Sequence, residues 1–240
     1  MKSAIVGQLE AFRLACMAIT GHRYWLLPIA PLAWLPVCAW IGIQDPFVPA
    51  SAQGTLIGLP LTFLAIFLGL RVIAGEIDGR SLEIAYTVPG GCERVWWTKL
   101  GAALLLLIAT EVPLAVATWV FFTPFPLDAL YGALQAALFY LVLAMGMATL
   151  FRSETAGAMP TVLVLALNGV ITGFGQNQVR VSPFWNPHAI QLVGNGGGGA
   201  DPAEILAWTV QNRIGFALLV TAIVALAFMR AGRRERMLDN

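Results

Sequence analysis

The chain has 240 residues, of which 58% are hydrophobic and 11% are charged, and its mean hydropathy is +0.77. No ordinary soluble domain has this composition, so an all-α, polytopic membrane protein in a single domain is predicted. The net charge of +1 offers no overall basic surface for nucleic acid. The three cysteines (Cys16, Cys38 and Cys92) lack metal-binding spacing and are predicted to be free thiols.

The first predicted element is the N-terminal segment, 1–23. Five apolar residues recur there at helical spacing, with charged and polar residues between them. They are Ile5, Leu9, Phe12, Cys16 and Ile19. This pattern is typical of an amphipathic helix that lies in the membrane interface. A plain extension of the first membrane span is the alternative.

Six apolar runs follow, each close to the ~20 residues that a bilayer core requires. They cover 24–43, 55–74, 100–122, 129–151, 156–174 and 214–229. The first run contains Pro28, Pro31 and Pro36 and is therefore predicted to be kinked. No cleavable signal sequence is expected ahead of it, because the run is long and further spans follow.

The lysines and arginines are distributed unevenly across this six-span topology. Twelve of the fourteen fall on one side: Lys2, Arg13, Arg23, Arg71, Arg80, Arg94, Lys99, Arg152, Arg230, Arg233, Arg234 and Arg236. Arg180 and Arg213 fall on the other side. The positive-inside rule therefore predicts that both termini and the segment 75–99 are cytoplasmic.

The segment 75–99 is the most charged stretch between two spans. Glu76 and Arg80 are four residues apart, a spacing that favours a helix continuing out of the second span. Gly79 permits a bend, and Ser81 is suited to cap a following helix. Because charges between spans are stable in water, the whole stretch is expected to be solvated.

A short amphipathic helix, 82–88, is predicted within this segment. Leu82 and Tyr86 share its apolar face, and the sequence Pro89-Gly90-Gly91 ends it. A new helix is then expected from Glu93. A short helix held at the membrane surface is suited to receive a push from a soluble partner. An ordinary solvated loop is the alternative.

The order of residues in this segment resembles the first cytoplasmic loop of the type-2 ABC exporter permeases. In chain order the matching residues are Glu76, Gly79, Ser81, Glu83, Pro89, Arg94 and Lys99. Ser81 stands where the family more often has Thr, and Gly90-Gly91 follows the proline where a bulkier residue is expected. The resemblance implies that the loop is a coupling helix docking on an ATP-binding subunit, with Arg80, Leu82 and Tyr86 in the same contact region. Such permeases also often begin with an interfacial helix.

The segment between the last two spans, 175–212, is predicted to be external. Asp201-Pro202 is a typical helix start, and a short helix through Trp208 is expected. Gly196 to Gly199 is predicted to be a flexible hinge. The resemblance implies short re-entrant helices at the outer surface; a mobile loop is the alternative.

One carboxylate is predicted inside the membrane. Glu111 lies twelve residues after Lys99, or ~18 Å along a helix, close to the midplane of a ~30 Å core. Ionisable groups are costly there and are functional candidates. Glu111 either contacts substrate or a proton in a central cavity, or is a hydrogen-bonded packing group. Gln135, Asn168 and Thr172 are its candidate partners.

The chain contains no P-loop motif and no common hydrolase or metalloprotease signature. His22 and His188 are expected on opposite sides of the membrane, so no shared metal is predicted. The resemblance implies a permease subunit of an ABC exporter in the bacterial cytoplasmic membrane. Its partners would be a separate ATPase, which holds ATP and Mg²⁺, a second permease copy or paralogue, lipid, and a substrate that the sequence leaves open. The alternatives are a proton-coupled transporter using Glu111, a rhomboid-type membrane enzyme and a membrane scaffold.

Overall fold

The computed structural model describes residues 2–22, 24–41, 47–79, 82–87, 91–175, 179–189 and 201–233, with backbone alone at 2–9, 11, 82, 84 and 85. All regular structure in these ranges is helical, and they contain no strand. The N-terminal part consists of α1 (Lys2–Thr20), two 3-10 turns (Tyr24–Leu26 and Ala30–Ala33) and α2 (Trp34–Ile41).

Five longer helices follow, each long and apolar enough to cross a membrane. They are α3 (Pro49–Asp78), α5 (Gly91–Phe121), α6 (Asp128–Phe151), α7 (Glu154–Thr172, extended by a 3-10 turn to Gly175) and α8 (Pro202–Ala231). The short helix α4 (Leu82–Thr87) lies between α3 and α5 in the chain. The protein is therefore an all-helical, multi-pass membrane protein.

The predicted first span, 24–43, is not among these five helices. The segment forms 3-10 turns and the short apolar helix Ala30–Ile41 instead. Pro28 and Pro31 lie in the irregular part, where each lacks a backbone donor and crowds the preceding turn, whereas Pro36 lies in the first turn of α2, where its missing N–H is tolerated. The prediction of six membrane-crossing helices is therefore not confirmed.

Three of the helices extend well beyond the predicted spans. α3 begins at Pro49 and ends at Asp78, and α5 begins at Gly91, so the charged residues assigned to loops lie on helices. The capping role of Asp201 is confirmed, because its Oδ1 accepts from the Ala203 N–H at 3.1 Å. The short helix ending at Trp208 is wrong, since α8 continues without a break to Ala231.

The core of the bundle is the packing of α3 on α6. Small residues allow close approach of helices to α6: a Cβ at Gly69 of α3 would overlap the Leu141 carbonyl, and a Cβ at Gly157 of α7 would overlap the Ala148 backbone. Around them α5, α7 and α8 pack on α6 or α3. We call the end of the bundle that carries Asp78, α4 and Glu154 the charged end, and the end that carries Pro49 and Asp128 the opposite end.

At the opposite end the chain from 182 to 186 is inserted between the helices. Ser182, Phe184, Trp185 and Asn186 are all buried. Gln53 Nε2 donates to the Trp185 carbonyl at 2.7 Å, and Asn186 Nδ2 donates to the Ala50 carbonyl at 2.8 Å. Residues 182–186 thus form a packed, buried turn. The re-entrant helices and the mobile loop both stay predictions for the rest of the segment, and Gly196 to Gly199 lies outside the described residues.

Candidate functional site

The structure divides the predicted coupling residues among three helices at the charged end. Glu76 is in the last turn of α3 and is followed by Gly79; Leu82, Glu83 and Tyr86 are on α4; and Arg94 and Lys99 are in the first turns of α5. Arg80, Ser81 and Pro89 lie outside the described residues. A short helix close to the predicted bounds, 82–88, is therefore present, followed by a long helix that contains Glu93.

The centre of this region is a buried group of three side chains. Lys99 Nζ lies 2.8 Å from Glu76 Oε1, and the Trp96 indole Nε1–H donates to Glu76 Oε2 at 3.0 Å. The Lys99 and Glu76 side chains are only 8% and 9% exposed. The expectation that the charges of this segment lie in water is therefore wrong for both residues.

Burial of these charges is possible because each has a partner. An unpaired charge taken out of water costs several kcal/mol, whereas a paired and hydrogen-bonded one recovers much of that cost. Here both oxygens of the Glu76 carboxylate are engaged, one by an ammonium and one by an indole. The group fixes the end of α3 to the start of α5.

The short helix α4 is also attached to the last helix. The Tyr86 hydroxyl donates to the Ala231 carbonyl at 2.6 Å, and the Tyr86 ring packs edge-on to Trp96 with centroids 6.5 Å apart. Trp96 in turn contacts Phe228 on α8. Tyr86 thus has partners inside the chain, while Glu83 and Arg94 are exposed. A docking role for Tyr86 remains a prediction.

A second polar contact at the charged end was not expected from the sequence. Arg71 Nε lies 3.5 Å from Glu154 Oε2, and Arg71 Nη1 donates to the Ile19 carbonyl at 3.0 Å. Asp78 Oδ2 accepts from the Glu154 N–H at 3.0 Å, at the start of α7. The only sequence signal was the seven-residue spacing of Arg71 and Asp78, two turns apart on one face. The contacts join α1, α3 and α7.

The intramembrane carboxylate, Glu111, has a different environment. It is 7% exposed, and its Oε1 has no hydrogen-bond partner among the described residues. The apolar residues one turn to either side belong to separate core clusters: Leu107 to that of the charged end and Leu114 to that of the opposite end. The carboxylate therefore lies at the boundary between two apolar clusters.

The predicted partners of Glu111 are occupied elsewhere. Gln135 Nε2 donates to Asn212 Oδ1 at 2.9 Å, and Gln135 Oε1 accepts from Arg213 at 2.7 Å. Asn168 Oδ1 accepts from the Thr172 and Ser182 hydroxyls at 3.0 and 3.2 Å. The expected contacts of Glu111 with these side chains are not formed, because each finds a partner at the opposite end of the bundle.

Within the described ranges, no three His, Cys, Asp or Glu side chains are grouped closely enough to hold a metal ion. Comparison of the chain with known protein families, curated proteins and solved structures finds no match.

Proposed function

We propose that the chain is the permease subunit of an ATP-binding cassette exporter, with both termini and α4 in the cytoplasm of a bacterium. The observation that carries the proposal is the attachment of α4. This short helix lies between two membrane-crossing helices and is joined to α8 through Tyr86 and, by way of Trp96, to the Glu76–Lys99 pair. The order of residues in the segment 75–99 supports the same family.

The arrangement is suited to transmit movement. A force applied to α4 passes to α8 through the Tyr86 hydroxyl and to the joined ends of α3 and α5 through the ring contact with Trp96. ATP and Mg²⁺ would be held by a separate ATPase, whose closure on ATP would push α4. Two copies of the permease, or one copy and a paralogue, would rock against each other to expose a shared pathway.

The contact with the ATPase is tested by reversing exposed charges. We expect Glu83→Arg/Arg94→Glu to lower co-purification with the proposed ATPase subunit by about tenfold or more, because like charges then oppose each other across the contact. Arg13→Glu, at another exposed arginine, is the matched control and should co-purify as the wild type does. Equal co-purification of all three proteins would contradict the proposal.

The transmission step has its own test. Tyr86→Phe keeps the ring but removes the hydroxyl that bonds Ala231. We expect the ATPase still to bind while the permease-dependent part of its ATP hydrolysis falls several-fold, because α4 loses its hydrogen bond to α8. Loss of binding would instead show that Tyr86 belongs to the docking surface. Unchanged binding together with unchanged hydrolysis would show that the α4–α8 contact transmits nothing.

A proton-coupled transporter is the second candidate, favoured by the buried Glu111 carboxylate with its unpartnered oxygen. The two functions differ in their energy source. Transport is followed in vesicles with a fluorescent compound that cells expressing the protein exclude. An ABC permease should move it only with ATP and the ATPase, and Glu111→Gln should retain most of that activity. Transport driven by a pH gradient alone, and abolished by Glu111→Gln, would establish the proton-coupled function instead.

A further inference from the structure

A groove of about 460 Å³ runs down one side of α8 at the opposite end of the bundle. Six of its lining residues matter here: Arg180, Trp208, Gln211, Gly215, Phe216 and Leu219. Arg180, Trp208 and Gln211 line its upper part, at the end of the bundle, and Gly215, Phe216 and Leu219 line its lower part, towards the middle. The groove is therefore amphipathic along its length.

The cation at the upper end of the groove is held in place. The Arg180 guanidinium stacks on the Trp208 ring, with its central carbon 3.4 Å from the ring centroid. Asn212 Nδ2 donates to the carbonyls of Arg180 and Ser182 at 2.8 and 2.9 Å, which fixes the backbone that carries Arg180. Asn212 is itself buried and bonded to Gln135.

The charge of Arg180 has no counter-ion in the part of the chain that the structure describes. The ion pairs there include Arg71–Glu154, Lys99–Glu76 and His188–Asp128, and Arg180 belongs to none of these three. Arg180 is also one of only two basic residues, of fourteen, predicted on this side of the membrane. An exposed, oriented guanidinium without a carboxylate is suited to bind a phosphate.

The length of the groove matches one leaflet of a bilayer. Trp208 and Leu219 are eleven residues apart, or ~16 Å along the helix, about half of a ~30 Å hydrocarbon core. Its lower part is open at Gly215, since no described residue lies within 4 Å of where a Cβ would be. Phe216 and Leu219 supply apolar contacts beside this opening.

We propose that this groove binds one anionic phospholipid, with its phosphate on Arg180 and an acyl chain along Gly215 to Leu219. A soluble anion would use only the upper end, and a zwitterionic lipid would compensate the guanidinium less well than an anionic one. The proposal does not depend on the transport function, because it concerns the lipid-facing side of α8.

The binding is tested by quenching of Trp208 fluorescence. The protein is reconstituted in phosphatidylcholine vesicles that contain one of two brominated lipids, phosphatidylglycerol or phosphatidylcholine. In both lipids the bromine is near the top of the acyl chains. The emission missing in Trp208→Phe is assigned to Trp208. We expect the brominated phosphatidylglycerol to quench it at about fivefold lower mole fraction than brominated phosphatidylcholine, the preference typical of one basic residue.

Two variants and a control separate the headgroup from the acyl chain. Arg180→Gln should reduce the preference to about one while brominated phosphatidylcholine still quenches, which shows that Trp208 remains in contact with lipid. Gly215→Phe should reduce quenching by both lipids, because the ring occupies the opening. Arg13→Gln, on α1, should leave the preference unchanged. Equal quenching of the wild type by both lipids, or an unchanged preference in Arg180→Gln, would overturn the proposal.

Discussion

Two buried carboxylates of this protein, Glu76 and Glu111, differ in almost everything except exposure. Each residue, backbone and side chain together, is 7% exposed, and each lies on a membrane-crossing helix. Glu76 has one oxygen on Lys99 and the other on Trp96, whereas Glu111 Oε1 has no partner among the residues the structure describes. Burial alone therefore does not distinguish a structural carboxylate from one that is available to bind something.

The difference follows from where the two residues lie along their helices. Glu76 is in the last turn of α3, where a cation and an indole on the first turns of α5 can reach it. Glu111 lies between two apolar clusters, where the neighbouring helices present aliphatic side chains. At the charged end the Glu76 carboxylate joins α3 to α5, whereas in the middle of α5 the Glu111 carboxylate retains an oxygen without a hydrogen bond from the described residues.

The largest effect should come from breaking the pair at the charged end. Lys99→Met leaves the Glu76 carboxylate buried without its cation, which we expect to lower the free energy of unfolding by ~3–5 kcal/mol. The measurement is unfolding in mixed micelles by titration with SDS. Glu76→Gln/Lys99→Met removes both charges and should recover most of the loss. A single variant as stable as the wild type would show that the pair does not hold α3 to α5.

A smaller loss of stability is expected when Trp96, the second partner of Glu76, is replaced. Trp96→Phe removes the indole donor to the carboxylate, and a hydrogen bond to a charged group contributes ~1.5–3 kcal/mol. Trp97→Phe is the matched control, because Trp97 is 56% exposed and contacts Phe228 through its ring alone. Under the same titration the control should lose less than about 1 kcal/mol. Equal losses would assign the effect to ring packing.

The smallest effect on stability is expected at Glu111. Glu111→Leu removes a buried polar group that has an unpartnered oxygen, so the free energy of unfolding should change by less than about 1 kcal/mol or increase. Glu76→Leu, by contrast, leaves Lys99 unpaired and should destabilise by ~3–5 kcal/mol. A loss of more than about 2 kcal/mol in Glu111→Leu would mean that Glu111 has a structural partner after all, and the comparison would fail.

The sequence was sufficient for the helical class and for most membrane-crossing segments, because long apolar runs can form only helices there. It was misleading where polar residues near the ends of spans continue a helix and find a partner on another one. The pattern places Asn212 in the external segment and Arg213 just before the last span, yet both bond to Gln135 while α8 continues past them. The pattern likewise predicts that Lys99 is solvated, whereas its side chain is buried and paired with Glu76. A local pattern does not show that a polar side chain will find a partner on another helix.

The partners of Glu111 were beyond prediction for a related reason. Gln135, Asn168 and Thr172 were chosen because they are polar residues within spans, but depth and facing direction depend on helix ends and packing. In the structure Gln135 accepts from Arg213, and the Thr172 hydroxyl donates to Asn168. The short helix in the segment 75–99 was easier to predict, because it is specified locally by a turn, an apolar face and a glycine-rich end.

The insertion of residues 182–186 between the helices has a consequence for the order of synthesis. Gln53 donates to the carbonyl of Trp185, which is 132 residues later in the chain, and the Ala50 carbonyl accepts from the side chain of Asn186, which is 136 residues later. A nascent chain made only as far as Phe151 contains the start of α3 but neither of these partners. Unpaired polar groups are costly in lipid. The start of α3 therefore gains its hydrogen-bond partners only after residues 185 and 186 have been synthesised, although α3 precedes the other four long helices in the chain.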